Sequence, residues 1–216
     1  MSPQESRGAR SRLTPRGAAT RNRIVLAAAE LMHARGVATT TIDEVLAASA
    51  TSKSQFYQHF DDKSELVYDV ITLRADEVLS WQRLRLEKVD SLRGLHQWRD
   101  AMVQRCVLRR GLWGCELGSL AAELSDTDDK ARASLAEHFA DWRAILAAAL
   151  ERMRDNGVLR EDIDAPALAT GLLAAVEGGY LLSQTAHDPR LMQTSLNAAI
   201  AHIMSFSPDS SERASR

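Results

Sequence analysis

Apolar residues recur along this chain at helical spacing, and no stretch alternates with period two for long enough to make a strand. Ile24, Ala27, Ala28 and Leu31 share one face of a segment that opens at Thr14-Pro15, an N-cap followed by proline at the first helical position, and stops at Gly36. Ile42, Val45, Leu46 and Ser49 fall at i, i+3, i+4 and i+7 and predict a second, shorter helix. Thr41-Ile-Asp-Glu44 opens it as a capping box, in which Thr41 accepts the backbone N–H three residues on and Glu44 reaches back. After a tight break at Ala50-Thr51, a third short helix starts at Ser52 and carries the residues through His59. Asp62-Lys-Ser-Glu65 caps a long helix running through Leu66, Val70, Leu73, Val78 and Trp81. Further helical segments are predicted near 91–109, 115–125, 127–155, 164–186 and 189–205, punctuated by Gly111, Gly114, Asn156-Gly157, Pro166 and Asp188-Pro189. The expected fold class is all-α, with three N-terminal helices followed by a larger helical body. Residues 1–13 have no periodicity and are expected to be a disordered basic arm, and 207–216 a disordered tail.

Two short helices joined by a tight turn make a helix-turn-helix, and the second is rich in hydrogen-bonding side chains. Lys53, Ser54, Gln55 and Gln58 are candidates for contact with base edges, since Gln bonds adenine bidentately and Lys reaches guanine. A merely solvated helix face is the competing reading. Charge favours the first. Residues 1–63 hold nine Lys/Arg against six Asp/Glu, a net +3, which leaves −5 on the rest of a chain whose total is −2. A basic end on an acidic body is the distribution expected when one end meets phosphate.

Other chemistry is poorly supported. Cys106 and Cys115 match no zinc spacing and the six histidines do not cluster with them, so no metal, no cofactor and no disulfide framework is expected. No catalytic residue is assigned, although a Cys–His pair brought together in space stays open. There is no phosphate-binding glycine loop, and Gly178-Gly179 sits within a helical pattern. No apolar run approaches the ~18 residues of a membrane span, and the arginine-rich N-terminus lacks the apolar stretch of a secretory signal. A soluble, cytoplasmic protein without membrane partners is the expectation.

The first 50 or so residues resemble the DNA-binding domain of TetR-type transcriptional repressors. The matching features are the helix ending in Arg35-Gly36, the Thr41-Ile-Asp-Glu-Val45 opening, Ser52-Lys53, Phe56-Tyr57-x-His59-Phe60, and Lys63 before Leu66. The resemblance implies that the Ser52–His59 segment enters the major groove and that Tyr57, His59 and Lys63 fix register on phosphates. Thr40 and Thr41 are candidates for a further phosphate bond at a helix N-terminus. Arg10, Arg12, Arg16, Arg21 and Arg23 resemble the basic arms of some family members. Ala50 stands where the family usually has Gly; a left-handed residue there costs a non-Gly residue roughly 1–2 kcal/mol, so the turn is expected to be strained or reshaped. Gly114-Cys115-Glu-Leu-Gly118-Ser-Leu120 followed by Glu123 resembles a subgroup with a Gly-Cys-x-x-Gly motif in the ligand domain, some of which respond to electrophiles through cysteine and others to drug-like or flavonoid-like molecules.

The larger body offers two further sets of residues. Trp81, Trp98, Met102, Trp113, Trp142 and Met153 are either ordinary core or the wall of a pocket for a flat, mostly apolar effector. Cys115 follows Gly114 and opens a helix, which lowers a thiol pKa, while Glu116 acts the other way; a buried inert cysteine is the alternative. Residues 164–205 carry small residues (Ala167, Gly171, Ala174, Ala175, Gly178, Gly179, Ala198, Ala199, Ala201) with Leu172, Leu181, Leu196 and Ile200 as apolar mass. The resemblance implies that these last two helices pair with a second subunit. The expected organisation is an arm at 1–13, a helix-turn-helix domain at 14–64, an effector-binding and dimerisation domain at 65–206 and a tail. The expected function is a homodimeric repressor that binds palindromic double-stranded operator DNA and is released by a small-molecule effector. The alternatives are a constitutive DNA-binding protein with a filled core and, further off, a helical-bundle enzyme.

Overall fold

A computed structural model describes residues 14–110, 112 and 114–208, so the expected arm at 1–13, Trp113 and the tail beyond 208 lie outside the described residues. Every regular element among the described residues is α-helical: α1 (Pro15–Arg35), α2 (Ile42–Ser49), α3 (Lys53–Tyr57), α4 (Lys63–Leu86), α5 (Leu92–Leu108), α6 (Glu116–Leu124), α7 (Asp129–Asp155), α8 (Ala165–Ala186) and α9 (Arg190–Met204). The chain divides into two compact units, Met1–Val70 and Ile71–Arg216, with the division falling inside α4.

In the first unit the local signals act as the sequence predicts. Thr14 Oγ1 accepts from Gly17 N–H at 3.2 Å, and Gly36 ends α1 at φ 89°, where a Cβ is disfavoured. The α1 core face is rotated from the expected one. Ile24 and Ala28 are buried, but Val25, Ala29 and Met32 join them and Ala27 and Leu31 are only half-buried. Two helices pack on this face, so it is wider than a single i, i+4 stripe. The α2 capping box forms, with Thr41 N–H donating to Glu44 Oε2 at 2.9 Å and Glu44 N–H donating to Thr41 Oγ1 at 3.3 Å. Arg35 holds the same carboxylate at 2.8 Å and ties the end of α1 to the start of α2. Ala50 keeps the left-handed conformation, φ 50° and ψ 47°, so the turn is strained rather than reshaped. The third helix is shorter than expected. It ends at Tyr57, because His59 N–H bonds back only three residues, to Phe56 O at 2.8 Å, and the chain turns to bury Phe60 against Phe56.

In the second unit α8 packs against both α7 and α9, and Leu146, Leu150, Leu172, Val176, Met192 and Leu196 are buried on these three helices. Gly179 allows the closest approach of α8 to α9, since a Cβ there would lie 2.7 Å from Met192 Sδ. Ser195 Oγ donates to Ala175 O at 2.7 Å, and Met192 N–H donates to Ser183 Oγ at 3.0 Å. Arg152 of α7 donates to Leu86 O at 2.5 Å and Val89 O at 3.1 Å, tying α7 to the end of α4 and the turn after it, where Val89 N–H also donates to Leu86 O at 3.0 Å. By length and composition α8 is apolar enough to cross a membrane, a feature that counting unbroken apolar runs passes over. A helix that packs within a bundle acquires the same composition by covering neighbours, and α8 does so against α7 and α9.

Candidate nucleic-acid interface and ligand cleft

Ser52 caps α3, accepting from Gln55 N–H at 3.2 Å, while Gln55 Oε1 accepts Ser52 N–H at 2.9 Å. This second capping box fixes a five-residue helix that is too short to hold itself. It also occupies Gln55: bidentate reading of adenine requires its amide to leave the cap. Phe56 points into the core, whereas Lys53, Ser54, Tyr57 and Gln58 are exposed. Among the described residues the side chains of Lys53, Ser54 and Gln58 form no hydrogen bond or ion pair. His59 is half-buried with Nδ1 buried and unbonded.

Other expected contacts sit differently. Thr40 is 1% exposed and its hydroxyl donates to Gly36 O at 2.8 Å, so its side chain locks the turn after α1. Thr41 is exposed but its hydroxyl donates to Glu44 Oε2 at 2.9 Å. Lys63 Nζ donates to Val37 O at 2.6 Å and Ala38 O at 3.4 Å, which uses the ammonium to hold the chain between α1 and α2. Arg21 pairs with Asp69 at 2.5 Å and lies over the Phe60 ring. Arg16 and Arg23 are exposed, and Arg10 and Arg12 lie outside the described residues.

The second unit contains a narrow cleft, partly open to solvent. Of the residues singled out in the sequence, Trp81, Met102, Cys115 and Trp142 line it. Trp98 does not. It is fully buried, and its Nε1–H donates to Gln82 Oε1 at 2.9 Å. Met153 is likewise core. Cys106 is buried and outside the cleft wall, and burial raises its thiol pKa. Arg105 in the last turn of α5 and Arg109, which caps its C-terminus, also line the cleft, and the guanidinium of Arg105 lies 5.5 Å from the Trp81 ring centre. Arg109 pairs with Glu116 at 3.1 Å, and Arg74 reaches the same carboxylate at 3.9 Å. The sequence reading missed these arginines; Met102, Arg105 and Arg109 at i, i+3 and i+7 were the available signal.

Cys115 is the N-cap of α6, and its Sγ accepts Gly118 N–H at 3.3 Å. Burial first, and then the Glu177 carboxyl beside it, push the thiol well above its ordinary range, outweighing the helix N-terminus. The glycines flanking it have a packing role. A Cβ at Gly118 would sit 2.2 Å from Glu177 Oε2, and one at Gly114 would sit 2.5 Å from Gln184 Oε1. The Gly-Cys-x-x-Gly run thus lets the start of α6 lie against α8.

Two family descriptions match this chain. Residues 24–70 match the bacterial regulatory proteins of the tetR family, and residues 89–199 match the tetracyclin repressor-like C-terminal domain. The chain belongs to the TetR family. It is therefore a helix-turn-helix regulator of transcription rather than an enzyme, in a family whose members bind DNA and typically dimerise through the C-terminal domain. An uncharacterized HTH-type transcriptional regulator in the lacX 3' region of Lactococcus lactis is 28% identical over 183 residues, covering 82% of this chain and 90% of its own. The transcriptional regulator AcuR of Cereibacter sphaeroides is 27% identical over 183 residues, covering 83% of each chain. The crystal structure of regulatory protein TetR from Rhodobacter sphaeroides shares the fold with a TM-score of 0.76 at 20% identity, over 85% of this chain and 98% of that one. The N-terminal match spans α2, α3 and the first turns of α4, and the C-terminal match begins at residue 89, beyond α4.

Proposed function

We propose that this TetR-family chain is a cytoplasmic, homodimeric repressor that binds a palindromic operator through α3 and leaves it when a small-molecule effector enters the C-terminal cleft. The observation that carries the reading is the face of α3. Its backbone is fixed by the Ser52–Gln55 box, while Lys53, Ser54 and Gln58 have their hydrogen-bonding capacity unspent. Tyr57 stands beside them as a phosphate contact. The domain division we propose keeps residues 14–64 for DNA and 65–206 for effector and partner. A constitutive DNA-binding protein is the second reading, and the narrow cleft bounded by Trp81, Met102 and Trp142 favours the effector reading over it.

Exposed and half-buried small and apolar residues support the dimer. Ala167, Gly171, Ala174, Gly178 and Leu181 fall at alternating spacings of four and three on the outer face of α8. Leu172, Leu196 and Ile200 are buried within the subunit and are not available for an interface. Two copies related by a twofold axis match a palindromic site. For coupling, α4 is the relevant element: Lys63 at its start belongs to the DNA-binding unit, and Val78, Trp81 and Gln82 line the cleft. An effector acts only if cleft and operator favour different conformations of the dimer, and the usual coupling of 1–3 kcal/mol changes operator affinity roughly 5- to 150-fold. The Gly-Cys-x-x-Gly run supports grouping the chain with family members that carry it, with a packing role for Cys115 in place of a sensing one. The test is selection of genomic fragments bound by the purified dimer, followed by a compound screen for release. Failure to enrich any palindromic fragment overturns the DNA assignment, and enrichment without any releasing compound favours the constitutive reading.

A further inference from the structure

Resting on the reading of the cleft as an effector site, we infer that its ligand is a small planar acid, an aromatic or conjugated carboxylate, held by the indole N–H of Trp142 and the guanidinium of Arg105. Two independent observations point to such a ligand, one to a hydrogen-bond acceptor and the other to a negative charge. Trp142 lines the cleft, is 1% exposed, and its Nε1–H is buried with no acceptor. A buried donor without a partner costs about as much as a hydrogen bond is worth, so such groups are retained where something supplies the acceptor. The contrast with Trp98 is direct, since Gln82 satisfies that indole at 2.9 Å.

The second observation is charge. Three charged residues line the cleft, Arg105, Arg109 and Glu116. Glu116 is matched by Arg109 at 3.1 Å, with Arg74 also near it at 3.9 Å. Arg105 is left over: among the described residues it has no carboxylate within ion-pair distance, and its guanidinium rests on the Trp81 ring. The cleft wall thus carries one uncompensated cation and one unused donor, both acceptor-seeking. Val78, Met102 and the ring of Trp81 form an apolar part of the wall that suits a flat hydrocarbon body, and Gln82, Cys115 and Tyr180 also line it. Arginine binds a carboxylate in a planar, two-bonded geometry that a neutral isostere does not match.

The experiment is calorimetric titration of the full-length dimer with benzoate and cinnamate, and with benzamide and cinnamamide as neutral isosteres. The acids bind at least about tenfold more tightly than the amides. Trp142→Phe keeps the ring, removes the N–H and weakens the acids by about tenfold. Arg105→Gln erases the preference for acid over amide, and Arg105→Lys restores part of it. Circular dichroism melting of each variant shows that the fold is intact. Equal binding of acids and amides by the wild type, or acid binding unchanged in Trp142→Phe, overturns the inference. Amides binding where acids do not leaves the effector cleft standing and removes the anion; no binding of any of the four removes both.

Discussion

At the scale of single residues, two side chains sit in environments that oppose them. Ala50 holds φ 50° and ψ 47° in the turn between α2 and α3, where a Cβ costs roughly 1–2 kcal/mol. It is exposed, so its methyl contributes no packing. Glycine removes the strain but adds freedom to the unfolded chain, worth about 0.4–1 kcal/mol. Ala50→Gly is therefore expected to stabilise the protein by about 0.5–1 kcal/mol, seen as a higher urea midpoint with an unchanged slope; a lower midpoint contradicts the strain argument. Glu177 is the second case. Burial raises its carboxyl pKa to about 7 from an ordinary 4.5, against a lowering by its hydrogen bond with Cys115. Between those values the folded protein keeps a proton that the unfolded chain releases. Stability is fully present below about pH 4.5 and falls as pH rises towards 7, by an amount on the order of 3 kcal/mol at most. Melting temperature should drop from pH 5 to pH 8, apart from other groups, and Glu177→Gln should flatten that drop. A variant whose pH dependence equals the wild type's would remove Glu177 as its source.

At the scale of elements, capping chemistry was legible and long-range pairing was not. Thr14, Thr41 and Ser52 act on residues three positions away, so the starts of α1, α2 and α3 were readable from local sequence. The end of α3 was not, because it is decided by the burial of Phe60 on Phe56 rather than by a stop signal. The cleft was half legible. Tryptophan and methionine flagged the apolar wall, but which indole is satisfied depends on Gln82, sixteen residues before Trp98 in sequence. Nor does the local sequence reveal that Glu177 of α8 faces Cys115 of α6. The same long-range blindness affects Lys63. As a family-type phosphate contact it would change salt dependence, yet its ammonium holds Val37 O and Ala38 O. Lys63→Ala is expected to lower the melting temperature while leaving the slope of log affinity against log salt near the wild-type value. Gln58→Ala does the reverse, leaving stability intact and relaxing base preference at one position per half-site for a loss of about 1–3 kcal/mol. A slope that flattens by about one phosphate in Lys63→Ala returns that residue to the DNA contacts.

At the scale of the whole molecule, the question is which surface of the C-terminal unit meets a second copy. The small residues of α8 separate into two sets once their surroundings are known. Gly179 is used within the subunit, against Met192, whereas a Cβ at Gly171 or Gly178 meets nothing within 4 Å. Leu181 and Leu182 are 64% and 52% exposed beside them, a cost to a lone subunit that a partner would offset. Substitutions on the two sets therefore have different consequences. Gly178→Arg adds a bulky charge where the subunit itself has room, so the fold survives and the interface does not. Leu196→Glu puts a carboxylate into a fully buried position on α9 and unfolds the subunit, which tells nothing about assembly. The expected result for Gly178→Arg is a monomer in sedimentation at micromolar concentration, with wild-type helical content. Operator affinity falls sharply, because a palindrome bound by one head loses the contacts of the other half-site. Leu181→Glu should behave alike from the same face. Dimers persisting in both variants would move the interface off α8 and leave its open glycines without a role in assembly.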